Sequence, residues 1–173
     1  MTPDSEFQVS PRILVADDET SLRTVLAAIL RREGFRVSSV KDGQEAIDVL
    51  HNSYLHDEDD FFDLLITDIC MPRVDGMALL ERVGIEFPNL PVVILTAHGT
   101  VDHAVSALKK GAFDFLTKPY DRDEIVRVVK NTILQQGGGA RASSTVSASI
   151  QSLFAGESEA VQQIREVIAK VAG

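Results

Sequence analysis

Residues 64–76 read LLITDICMPRVDG. Leu64 to Thr67 form an apolar, β-branched run without alternation, the pattern of a strand covered on both faces. The run stops on Asp68, a costly residue to leave beside a core unless it is partnered. Pro72 then ends strand pairing. Gly76 is expected to supply backbone angles that a side chain would resist, so that the loop after Asp68 turns around it and releases a helix.

Four further stretches have the same character: RILVA (12–16), FRVSSV (35–40), PVVILT (91–96) and AFDFL (112–116). Between them the chain is amphipathic at helical spacing. Leu22, Val25, Leu26, Ile29 and Leu30 form one stripe, Val101, Ala104, Val105 and Leu108 a second, and Ile125, Val128, Val129 and Ile133 a third. Strands alternating with helices through right-handed crossovers imply an α/β fold, a doubly wound five-stranded parallel sheet with helices on both faces. LLIT and VVILT read as central strands, whereas the polar RVSSV and the short DFL read as edges. The order 2-1-3-4-5 satisfies these constraints.

Composition narrows the function. The 173 residues are 45% hydrophobic, enough for a sizeable core, and 17 Lys and Arg against 26 Asp and Glu give a net charge of −9. Such a charge argues against a nucleic-acid surface on this stretch. MTPDSEFQVSP has no basic region followed by an apolar one, and no apolar run is long enough to cross a bilayer. A cytoplasmic location without membrane contact is expected. Cys70 is the only cysteine, which removes disulfides and thiolate clusters and leaves its sulfur a packing role.

The predicted topology gathers several polar residues at one place. Asp17 and Asp18 follow the first strand, Asp68 ends the third, Thr96 ends the fourth and Lys118 follows the fifth. Ligands of open α/β sheets bind at these carboxyl ends. Three carboxylates brought together repel unless a cation or a proton joins them, and Mg²⁺ takes such an oxygen set with one or two carboxylates. Asp68 then suits attack on phosphorus, with the Lys118 ammonium and the Thr96 hydroxyl stabilising phosphoryl oxygens. Pro119 makes the Lys118–Pro119 bond a cis candidate that would aim the lysine at the carboxylates. His98 has no histidine or cysteine partner at metal-ligand spacing and is given no role.

ILVADDE, LLITDICMP, VVILTAHG and GAFDFLTKP, in this order and spacing, resemble the receiver domain of two-component response regulators from about Arg12 to Gln135. The resemblance implies that Asp68 accepts phosphate from a sensor histidine kinase. It implies Mg²⁺ on Asp18, Asp68 and the Cys70 backbone carbonyl, with Asp17 helping through water. Thr96 and Phe115 would be the switch pair and Lys118 the phosphate contact. A homodimer through the fourth helix, fifth strand and fifth helix is implied as well.

TAHGTVDHAVSALKKGAFDFLTKPYD is most similar to the NtrC-type subgroup, and LFAGESEAVQQIREVIAKVA resembles the opening of its AAA+ ATPase domain. That implies an N-terminal tail at 1–11, a receiver at 12–136, a flexible linker at 137–150 and a helical ATPase start at 151–173. Sigma-54 RNA polymerase and DNA would be reached only through further domains. No GxxxxGK[ST] occurs, so this stretch is not expected to bind or hydrolyse ATP.

Two features depart from the family: the acidic HNSYLHDEDDFF before the third strand, with Asp57, Glu58, Asp59 and Asp60 read as a solvated loop, and the glycine-rich QQGGGARASS. Three other functions compete. A Mg²⁺-dependent phosphatase would carry an acid two positions after Asp68, where Cys70 stands. A flavin module needs a phosphate cradle after the first strand, where DDETS places carboxylates. A receiver-like docking domain that is never phosphorylated is the third.

Overall fold

The structure is a computed structural model that describes residues 10–55, 61–97 and 101–137. Strands and helices alternate without exception: β1 (Arg12–Ala16), α1 (Thr20–Arg32), β2 (Arg36–Val40), α2 (Gly43–Tyr54), β3 (Leu64–Asp68), α3 (Gly76–Glu86), β4 (Val92–Thr96), α4 (Val101–Lys109), β5 (Asp114–Thr117) and α5 (Arg122–Gly137). The strands form one parallel sheet in the order β2-β1-β3-β4-β5, so RVSSV and DFLT are the edges as their composition suggests. The expected linker at 137–150 beyond Gly137, where α5 ends, the expected helix at 151–173 and the acidic residues Asp57 to Asp60 lie outside the described residues.

Period-two alternation splits the core into two layers. Leu14, Ala16, Leu65, Ile94 and Phe115 face α2, α3 and α4, against Ile47, Leu50, Leu79, Val83 and Ala107. Ile13, Val15, Ile66, Leu95 and Leu116 face α1 and α5, against Leu26, Leu30, Ile125 and Val129. In β3 and β4 every residue is buried, which is why their sequences run apolar without alternation.

The helical stripes are narrower than expected. Val25 is 55% exposed, and Ala27 takes the place beside Leu26 and Leu30. Of the second stripe only Val105 and Leu108 are described, both half-buried, beside a fully buried Ala107. In α5, Thr132 is fully buried within the stripe, its hydroxyl donating to the Val128 carbonyl at 2.8 Å. Asp42 and Asp75 cap α2 and α3 by accepting the Glu45 and Ala78 N–H groups at 3.0 and 2.8 Å. Gly34 and Gly111 follow α1 and α4 at φ +93° and +97°, the left-handed turn that ends a helix most cheaply with glycine.

Glu33, at the end of α1, accepts from Lys130 at 2.7 Å and from Arg122, tying α1 to α5. The Lys130 hydrogen bond, together with both positive charges, holds the Glu33 carboxyl below the usual range. A lowered carboxyl contributes stability above the unfolded value of about 4.3, lost as pH falls through the folded one. Because the pair is exposed, Glu33→Gln is expected to lower the melting temperature slightly in dilute buffer and not measurably in 1 M salt.

At the amino end of the sheet, away from the strand tips that carry the aspartates, the Tyr54 ring stacks on Phe61 with centroids 4.2 Å apart. Phe87 lies against Tyr54 at 4.9 Å, and His51 Nε2 sits 2.6 Å from Glu86 Oε2.

Candidate functional site

Strand register builds the site. Ala16 is level with Thr67, so the next residues along, Asp17 and Asp68, emerge side by side at the carboxyl ends of β1 and β3. Asp68 is level with Leu95, which sets Thr96 one step beyond it on β4. Thr96 in turn is level with Thr117 of β5, and Lys118 follows, its N–H donating to the Thr96 carbonyl at 2.7 Å.

The Lys118 ammonium lies between the two aspartates, 2.8 Å from Asp17 Oδ2 and 2.7 Å from Asp68 Oδ1. Both carboxylates are buried, at 1% and 6% exposure. Their remaining oxygens are satisfied by backbone: Glu19 N–H donates to Asp17 Oδ1 and Cys70 N–H to Asp68 Oδ2, each at 2.8 Å. Every carboxylate oxygen thus has a donor, which is how two neighbouring anions are tolerated below the surface. Burial pushes the Lys118 ammonium toward neutrality, but its hydrogen bonds to Asp17 and Asp68 and their charges outweigh it, and its pKa lies above the ordinary lysine value.

The other expected residues are placed as follows. Asp18 is exposed at the mouth of the site. Thr96 is buried at the end of β4, and Phe115 is buried in the layer under α4 with Ala107 and Ala112. The Lys118–Pro119 peptide is cis. Cys70 departs from its expected packing role: its N–H turns inward to Asp68, which sends the thiol side chain outward, and the residue is exposed. Gly76 also has a different reason from the one expected. It opens α3, and what it provides is room: a Cβ there would stand 2.0 Å from the Asp68 carbonyl oxygen.

Three contacts escape motif reading. Arg23 Nη1 donates to the Asp17 carbonyl at 2.5 Å and braces the first aspartate from α1. Arg73, in the loop after Asp68, pairs with the buried Asp42 and adopts φ +64°. Tyr120, half-buried beside Lys118, has its phenol pushed up by burial. The Asp-x-x-Glu spacing of Asp42 and Glu45 was the available signal for a capped helix start there.

The donors offered at this end of the sheet are carboxylate and carbonyl oxygens, the hard set that Mg²⁺ prefers. Three carboxylates, Asp17, Asp18 and Asp68, outnumber the one ammonium, so excess negative charge remains to attract a divalent ion. Among the described residues, however, no three Asp, Glu, His or Cys side chains surround one point. Lys118 holds Asp17 and Asp68, while Asp18 faces solvent. The donor chemistry fits Mg²⁺. No helix among the described residues is long and apolar enough to cross a membrane.

Comparison with known proteins gives the following. The response regulator receiver domain family matches residues 13–130. The DNA-binding transcriptional regulator NtrC of Klebsiella pneumoniae is 35% identical over 157 residues, covering 91% of this chain and 32% of that protein. The transcriptional regulatory protein ZraR of Escherichia coli (strain K12) is 35% identical over 160 residues, 92% of this chain and 34% of that protein. The chain therefore spans about a third of the length of these relatives. Among solved structures, the beryllofluoride-activated NtrC4 receiver domain dimer superposes with a TM-score of 0.66 at 34% identity, covering 72% of this chain and 98% of that one. A receiver domain from Clostridium thermocellum gives a TM-score of 0.67 at 30% identity, covering 73% and 97%.

Proposed function

Because this chain belongs to the response regulator receiver domain family, we propose that it is a phosphorylation-driven switch in which Asp68 takes a phosphoryl group from a sensor histidine kinase. The observation that carries this reading is the Lys118 ammonium seated between two buried aspartates at the carboxyl ends of β1 and β3. An Asp68 oxygen attacks phosphorus, the new O–P bond forms as the P–N bond to the kinase histidine breaks, and the departing imidazole keeps the nitrogen electron pair. Lys118 stays beside the acceptor and stabilises one phosphoryl oxygen, and the Thr96 hydroxyl, one step along β4, donates to another.

Mg²⁺, held by Asp18, Asp68 and the Cys70 carbonyl with Asp17 assisting through water, would neutralise charge on the transferring group. Asp18 suits this role because it is exposed and free to turn inward. Phe115, buried in the layer under α4, is the residue whose rotation would carry the signal once Thr96 moves toward the phosphoryl group. The surface so altered is α4, β5 and α5. A homodimer there is supported by the similarity to a receiver domain dimer, and an output in transcription by the similarity to transcriptional regulators.

On this reading residues 12–136 are the receiver, 137–150 a linker and 151–173 the opening of an AAA+ ATPase domain. The switch would then govern a sigma-54-dependent activator, whose polymerase and DNA contacts belong to other domains, in the cytoplasm.

The test is intact mass after incubation with a small acyl-phosphate donor, with and without Mg²⁺. One phosphoryl group is expected on the wild type with Mg²⁺ and none on Asp68→Asn. No adduct on the wild type, or the same adduct on the variant, would sink the assignment of Asp68.

A further inference from the structure

The loop that follows the phosphoacceptor, residues 69–75, is pinned along both margins. On the inner side Ile69 N–H donates to the Leu95 carbonyl at 3.1 Å, Gly76 N–H to the Ile69 carbonyl at 2.8 Å and Cys70 N–H to Asp68 Oδ2 at 2.8 Å. On the outer side the loop is held by the turn between β2 and α2. Gly43 N–H donates to the Val74 carbonyl at 3.2 Å, and a Cβ on Gly43 would press to 2.5 Å from that oxygen. Arg73 Nε lies 2.9 Å from Asp42 Oδ2, and Nη2 bonds the same oxygen.

Two features set this pair apart from an ordinary surface ion pair. Asp42 is 1% exposed, and its oxygens are divided between two tasks: Oδ1 caps α2 through Glu45 N–H, and Oδ2 receives the guanidinium. Arg73 sits at φ +64°, among the described residues the one non-glycine with positive φ, in a conformation that disfavours a side chain. A glycine would occupy it without strain, so what arginine adds is the reach to Asp42. Burial pushes the Asp42 carboxyl up, but the Glu45 N–H, the Arg73 hydrogen bond and the Arg73 charge outweigh it and hold it below the usual range.

We propose that Arg73 is a positioning residue for phosphoryl transfer, latching the outer margin of the loop to Asp42 so that the Cys70 N–H and carbonyl keep their places beside Asp68. The proposal rests on Asp68 being the phosphoacceptor. Cys70 stands midway between the fixed end of β3 and the latch, so a loop held on its outer side by the Gly43–Val74 hydrogen bond alone would let its peptide groups wander. Both the hydrogen bond to Asp68 Oδ2 and the carbonyl offered to Mg²⁺ would then lose their alignment.

Glycine and asparagine separate positioning from plain structural support. Arg73→Gly removes the latch and the backbone strain together. Asp42→Asn keeps the helix cap, since asparagine caps as well as aspartate, while removing the charge and acceptor that face Arg73. Arg73→Gly leaves the buried Asp42 Oδ2 without its charge partner and is expected to lower the melting temperature, so rates and affinities are compared at a temperature where every variant is fully folded. Their Mg²⁺-dependent phosphorylation by a small acyl phosphate should slow about tenfold, and calorimetric Mg²⁺ affinity should weaken by about the same factor. Amide exchange at Cys70, measured without Mg²⁺, should quicken, while exchange in the middle of α2 stays unchanged. The double variant should be no slower than either single one, because the two side chains act through one contact.

If the wild type is phosphorylated on Asp68 and Arg73→Gly matches it in rate, Mg²⁺ affinity and Cys70 exchange, the latch is overturned while the switch reading survives. If the wild type itself takes up no phosphoryl group, both fall.

Discussion

Methionine in place of Lys118 is expected to destabilise the domain by about 3 kcal/mol near neutral pH, since removing one partner leaves buried charge uncompensated. Lys118 is the cation between Asp17 and Asp68, and both carboxylates are buried. Without it they face each other with only the Glu19 and Cys70 N–H groups as donors. The wild type and the variant should therefore respond differently to high pH. In the wild type the lysine pKa is raised by folding. A raised lysine contributes fully below its unfolded value of about 10.4, and that contribution is lost only as pH rises through the higher folded value. In Lys118→Met that contribution is absent, so the loss of stability above the unfolded lysine value should vanish. Millimolar Mg²⁺ should raise the variant's melting temperature more than the wild type's, since the ion restores the missing countercharge. A Lys118→Met melting temperature equal to that of the wild type, with no gain from Mg²⁺, would show that the ammonium does not hold the aspartates together.

Gly76→Ala is expected to be equally damaging for a steric reason. The added Cβ would meet the Asp68 carbonyl oxygen at 2.0 Å and the Asp68 carbonyl carbon and Ile69 Cα each at 2.9 Å. All three are backbone atoms, so no side chain can swing aside. Either α3 withdraws or the loop that carries the phosphoacceptor shifts, at a cost of about 3 kcal/mol and a melting temperature roughly 10 °C lower. Phosphorylation should fall with it, because the displaced segment begins at Asp68 itself. Gly84 provides the internal control: it lies in the same helix, is exposed, and has nothing within 4 Å of its Cβ position. Gly84→Ala should stabilise by about 0.5–1 kcal/mol through helix propensity alone. Thermal unfolding of the two variants side by side decides the matter, and a Gly76→Ala curve overlying the wild type would refute the steric account.

Much of this architecture was legible because a parallel sheet writes itself plainly. Strands buried on both faces must be apolar throughout, as LLIT and VVILT are, and once the order is set the carboxyl ends of β1, β3 and β5 have to converge. Asp17, Asp68 and Lys118 therefore met where expected. What stayed hidden depended on a single step of register or on one torsion. Asp17 and Asp18 are adjacent, and only the pairing of Ala16 with Thr67 decides that the first lies buried against Lys118 while the second faces water. Val25 falls on an apolar repeat but sits at its flank, where it meets water. The Arg73–Asp42 contact spans 31 residues and exists because one arginine takes a left-handed backbone, for which the sequence offers no signal. A lysine aimed at the aspartates was legible from Lys118–Pro119; that its ammonium bonds both carboxylates at once was not.

The Tyr54–Phe61 stack closes, like a clasp, the two ends of the segment that precedes β3. Lengthening a connection whose ends are so held costs little, since each doubling adds only ~0.6 kcal/mol of closure entropy. An insertion at this end of the sheet, opposite the end that carries Asp68, is therefore expected to cost little stability and to leave the chemistry there undisturbed.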